Sequence, residues 1–262
     1  MAGTVQIVIV GPHRWRTFAV FNGNAFPSEL CASVDACGSR LSLVFYHASL
    51  LPAALSRDAA DFRENIESRR VDLEAGLRKR PELSTVAVYD GIGFISEIHN
   101  VLNAVKSFLD LYAKLAGKLV NSRNTWTFGT GNIDGKQLSG GRFINSLRSA
   151  SKTGLYATLA DLTLDHSRRW IDEAVTYRHQ LSHRSDLDHM VPMHLPLSAV
   201  PPHVRFDDLV SPKMPNGTAV HAYVQNVEYE LAKYVATSVR LLPNVDLSLI
   251  SPEGVLRSPP VA

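Results

Sequence analysis

Two stretches of this sequence carry apolar residues at every third or fourth position over lengths that no strand reaches, and they restrict the chain to helical architectures. Between Asp90 and Asn121, the residues Ile95, Ile98, Leu102, Val105, Leu109, Tyr112 and Leu115 make one stripe. Between Gly154 and His183, a second stripe runs through Leu155, Leu159, Leu162, His166, Trp170, Ala174, Tyr177 and Leu181. With 3.6 residues per turn each set lies along one side of a helix, and each side needs another element to cover it.

The remaining segments read as partners and accessories to these helices. Val5 to Val10 and Thr17 to Phe21 are β-branched and aromatic runs around a Gly-Pro break, which predicts an N-terminal β-hairpin within residues 1–26. Ser28 is placed to cap a helix reaching about Leu51, and a charged helix is expected from Pro52 to Arg80, closed by Pro81. Ser122 to Gly141 is glycine-rich and aperiodic, as in a long loop or small hairpin, with a short helix from Arg142 to Ser151 after it. Six prolines between Pro192 and Pro215 predict an irregular or β-containing insertion, taken as 184–217. A last helix is expected from Thr218 to Leu242, and a fraying tail over 244–262. The expectation is a mainly α fold: a helical bundle over 27–243, a small N-terminal β-hairpin, and a Pro-rich insertion before the last helix.

Composition narrows the classes of function. Apolar residues make up 45% of the chain, enough for a hydrophobic core without a disulfide framework. Cys31 and Cys37 are six apart in a predicted helix, a spacing that does not favour a bridge, so a reducing, cytoplasmic setting is expected. The N-terminal apolar run is too short for a signal peptide. The apolar stretch from Leu41 to Leu55 falls short of the roughly 20 residues a membrane span needs. A net charge of +2 provides no general attraction to nucleic acid, so any such binding must be local.

The densest cluster of chemically able side chains is Tyr177-Arg178-His179-Gln180-Leu181-Ser182-His183-Arg184. An Arg, four to six intervening residues and then a His also occur at Arg40–His47 and Arg184–His189. Only Arg178–His183 combines a strongly periodic helix before it with a polar residue after the Arg and a helix break beyond. In this it resembles the HEPN superfamily of helical-bundle domains, over about Asp90 to Leu242. The resemblance implies a metal-independent ribonuclease without cofactor, acting on RNA as a homodimer in a defence or toxin–antitoxin system, with a regulatory protein partner and no membrane. It implies His183 as the proton-transfer group, Arg178 as the phosphate clamp and His179 in support. Arg184 and Arg168 are added as RNA contacts, Arg168 falling with Asp172 on the side of the helix that carries His179 and His183. Such chemistry suits these residue types: imidazole exchanges a proton near neutral pH, and guanidinium matches two phosphate oxygens.

Other readings stand beside it. At 100° per residue, Arg178 and His183 are about 140° apart around an ideal helix, so one phosphate meets both only through unwinding or a second subunit. A HEPN-like module that binds RNA, a nucleotide or a protein without turnover is the alternative. His179 and His183 share a face at i, i+4, a metal-ligand spacing that Asp186, His189 or His194 would complete, but the Glu of zinc proteases is missing between them. Surface capping and salt bridging would explain the same residues without function. Glu97 and His99 would approach the motif if their helix runs antiparallel to it. His166, on the apolar stripe, is expected to be a hydrogen-bonded core histidine, and Trp126 and Phe128 to bury their loop.

Overall fold

The computed structural model of the chain describes residues 5–9, 17–21, 28–69, 71–72, 75, 79, 85–87, 92–119, 122, 124–150, 154–183, 194–199, 202–204, 213–242 and 245–246. These residues are mainly helical. The first stripe lies on helix α2, Ile92–Leu119, where Ile98, Leu102, Val105, Leu109, Tyr112 and Leu115 are buried and Ile95 is half-buried. Strands β1 (Val5–Ile9) and β2 (Thr17–Phe21) pair antiparallel, as the hairpin reading expects.

Helix α1 corrects the expectation of two successive helices meeting at Pro52. It is one helix, Ser28–Ser68, with Pro52 inside it. Proline removes one backbone donor and crowds the preceding turn. Its ring is exposed, however, while Leu41, Val44, Ala48, Leu51, Ala54, Asp58, Phe62 and Ile66 keep one buried stripe through the whole helix. Burial along that stripe outweighs the single lost hydrogen bond. The expected extension to Arg80 and the stop at Pro81 fall largely outside the described residues.

The second stripe also needs a correction. Helix α3, Gly141–Ser149, precedes it. The predicted helix from Gly154 to His183 is α4, Gly154–His166, and α5, Asp172–His183, joined without interruption by a π-helical turn at Ser167–Ile171. The backbone N–H of Asp172 accordingly bonds the carbonyl of Ser167, five residues back. The widened turn buries two adjacent pairs, His166 with Ser167 and Trp170 with Ile171, where an α-helical stripe would turn fewer neighbours inward. Leu155, at the start of the stripe, is exposed.

Three small sheets complete the described structure. The glycine-rich segment forms a hairpin of β4 (Gly131–Ile133) and β5 (Lys136–Leu138). Asp134 and Gly135 make its turn with φ of 52° and 81°, the left-handed pair that a two-residue hairpin requires. Strand β3, Thr85–Ala87, not expected from sequence, pairs antiparallel with β6, His194–Ala199. Strand β6 also pairs with β7, Pro202–Val204, so the insertion contains β-structure, and most of its other residues lie outside those described. Helix α6 spans Val220–Val239. The tail expected to fray contributes β8, Val245–Asp246, which pairs parallel to β1.

The chain divides into two compact units that do not follow chain order. The first comprises Met1–Tyr46, Asn100–His179 and Val227–Ala262. Its core is aromatic: Tyr112 packs on Phe108, Phe143 and Tyr234 with ring centroids 5.8–6.2 Å apart. Trp126 and Phe128 join Phe143, both buried, so the loop is sealed by its own aromatics as the sequence suggests. The second unit comprises His47–His99 and Gln180–Asn226. Its buried side chains include Leu51, Phe62, Phe94, Ile98, Tyr223 and Val224. Within it, the buried Asp58 accepts the backbone N–H of Phe94 at 2.8 Å, satisfying a donor in the first turn of α2. Gly93 admits that carboxylate: a Cβ there would stand 2.9 Å from Asp58 Oδ1.

Candidate functional site

The Arg-His motif closes helix α5, which is continuous through His183. Arg178 is half-buried, and its Nε donates to Asn103 Oδ1 of α2 at 2.8 Å within the first unit. That bond uses the inner edge of the guanidinium and leaves the fork of terminal nitrogens for a planar, two-oxygen partner. His179, the next residue, is exposed. The side chain of His183 and all of Arg184 lie outside the described residues.

In the second unit, the residue before His183 is anchored. Ser182 Oγ lies 3.0 Å from His99 Nε2, and both side chains are half-buried. The sequence suggested that both Glu97 and His99 would reach the motif. Only His99 touches its segment; Glu97 instead binds His47 Nδ1 through Oε2 at 2.7 Å, each side chain being 20% exposed. The two residues diverge because positions two apart on a helix lie about 200° around it. Sequence reasoning missed the roles of Asn103 and Ser182. The available signal was spacing: His99 and Asn103 are four apart, as are Arg178 and Ser182.

Arg168 and Asp172 do not converge on the motif. Arg168 is exposed at the π turn and pairs with Asp134 Oδ2 of the β4–β5 turn at 3.3 Å. Asp172 Oδ1 accepts the backbone N–H of Ser139 at 2.9 Å, fastening that hairpin to the start of α5. Of the alternative metal partners, Asp186 and His189 lie outside the described residues, and His194 sits in β6 without a described side chain. Among the described residues, no three His, Cys, Asp or Glu side chains gather as a metal would need.

His166 is the core histidine that its place on the stripe predicts. Trp170 Nε1 donates to its Nδ1 at 2.9 Å. Burial first, and then the positive charge of Arg169, whose Nη2 is 3.1 Å from Nε2, together bring its pKa down to about 4. Arg169 itself pairs with Asp165 at 3.1 Å and with Glu230 at 3.2 Å. Thr163 and Tyr234 hydroxyls meet at 3.1 Å beside this group. On α6, burial raises the Glu228 carboxyl to about 7. Cys37 is a free, buried thiol that burial raises to about 12, so it is neither bridged nor nucleophilic.

Among the described residues, no helix is long and apolar enough to cross a membrane. Comparison of the chain with protein-family models, curated proteins and solved structures found no match.

Proposed function

We propose that this chain is a HEPN-like, metal-independent endoribonuclease that cleaves RNA through its own 2′-hydroxyl, with Arg178 holding the phosphate and His183 transferring a proton. The observation that carries the reading is the bond from Arg178 Nε to Asn103 Oδ1, which orients the guanidinium with its terminal nitrogens available. An arginine retained only for surface charge has no need of a side-chain acceptor from a neighbouring helix. His179 supports the site, and Arg184 adds positive charge for the RNA backbone. A homodimer would supply a second copy of the motif, and a regulatory protein partner would restrain the activity, as in defence and toxin–antitoxin systems.

A second reading, an RNA-binding module of the same kind without turnover, is favoured by one observation. Helix α5 is unbroken from Asp172 to His183, so Arg178 and His183 stay about 140° apart around it. The two readings part on a single assay: purified protein with mixed-sequence RNA in EDTA, products analysed for 2′,3′-cyclic phosphate ends. Cleavage by wild type, lowered ~10²-fold or more by Arg178→Ala and by His183→Ala at unchanged Tm, is expected. RNA bound but left intact by a folded protein would establish the binding module instead, and activity abolished by EDTA would replace both with a metal enzyme.

A further inference from the structure

Transesterification of RNA needs two proton transfers, and of the motif's two imidazoles the reading above gives a proton-transfer role to one, His183, with His179 in support. The 2′-oxygen forms a new P–O bond as it yields its proton to a base. The P–O5′ bond then breaks as the departing 5′-oxygen takes a proton from an acid. The products are a 2′,3′-cyclic phosphate and a 5′-hydroxyl, with no other reactant consumed. We infer that His99 is the second proton-transfer group, an inference that rests on the ribonuclease reading above.

The second unit itself singles out His99. Its Nε2 is 3.0 Å from the hydroxyl of Ser182, the residue immediately before His183, so the ring is aimed at the motif segment. It is half-buried, which leaves an edge accessible to a ligand. His47 of α1, in the same unit, is engaged by Glu97 of α2. The Ser182 hydroxyl is a suitable resting partner, because it accepts from a protonated Nε2 and donates to a bare one, holding the ring in place in either state. A phosphate oxygen or ribose hydroxyl arriving at Ser182 would exchange with it.

The test compares wild type with His99→Gln and Ser182→Ala on mixed-sequence RNA in EDTA across pH 5 to 9. Wild type should give a bell-shaped rate profile. His99→Gln should fall ~10²-fold or more and lose one limb, with Tm kept within a few degrees. Ser182→Ala, which retains the imidazole, should keep both limbs with a fall of less than about tenfold. On wild-type protein, carbethoxylation of histidines by diethyl pyrocarbonate is read by mass spectrometry with and without 2′-O-methyl RNA, which binds and is not cleaved. His99 should be protected by the RNA, and this result decides the matter if His99→Gln does not fold. Active wild type combined with an unprotected His99, or with both limbs surviving in His99→Gln, overturns this inference alone. Wild type that leaves RNA intact overturns the ribonuclease reading and this inference together.

Discussion

At the scale of single residues, two titrating groups pull stability in opposite directions across one pH range. The unfolded imidazole of His166 titrates near 6.5, and the folded one at about 4. Between those values the unfolded chain binds a proton that the folded chain refuses, so His166 lowers stability as pH falls, by about 3 kcal/mol in full. Glu228 titrates at 4.5 unfolded and about 7 folded, so the folded chain retains the extra proton and its contribution is lost as pH rises. The two slopes oppose each other between about pH 4.5 and 6.5. Thermal denaturation in that window should therefore show a nearly flat Tm for wild type. Glu228→Gln should unmask a Tm that climbs with pH. A Glu228→Gln profile as flat as wild type would show that His166 is not held neutral. The cause in both residues is burial, and periodicity places His166 on the buried stripe while saying nothing of which atoms surround it.

Among the elements, α2 depends on a side chain that comes from far along the chain. Its first turn has backbone donors that the helix cannot satisfy, and Asp58 of α1 takes the one at Phe94. The negative charge also complements the positive end of the helix dipole. Asp58→Ala is expected to cost ~2 kcal/mol, seen as a Tm drop of about 4–8 °C, and Asp58→Asn to recover part of it by keeping one acceptor. Equal losses in both variants would mean that the charge, not the hydrogen bond, dominates. Helix α1 and the π turn make a related point about local signals. A proline was read as a boundary at Pro52, yet a buried stripe on both sides of it carries the helix through. A periodic run from Leu155 to Leu181 predicted uninterrupted α-helix, yet burial of two adjacent pairs at Ser167–Ile171 opens it by one residue.

For the whole molecule, two segments about 240 positions apart are joined by strand pairing. Val245 and Asp246 pair parallel with Val5 and Gln6, so deletion of residues 243–262 removes that edge while leaving the β1–β2 ladder intact. Faster amide exchange at residues 5 and 6, with less than ~1 kcal/mol lost overall, is expected in that truncation. Unchanged exchange would show the pairing to be without weight. Helix α2, the hairpin β1–β2 and α6 were legible in the sequence, because their signals are local, a repeat of three to four or a β-branched run, whereas the glycine-rich segment read as a long loop or a small hairpin alike. The core position of His166 on its stripe was legible too. The motif was legible as residues, Arg178, His179 and His183, but its partners were not. Asn103 lies 75 positions before Arg178 and His99 lies 83 before Ser182, and no local rule links residues so far apart. Strand β3 escaped for the same reason, since three residues form a strand only when β6 is beside them. Periodicity decides which residues turn inward, because that is a property of one helix. Which polar groups meet there depends on how helices pack, and only the folded chain sets that.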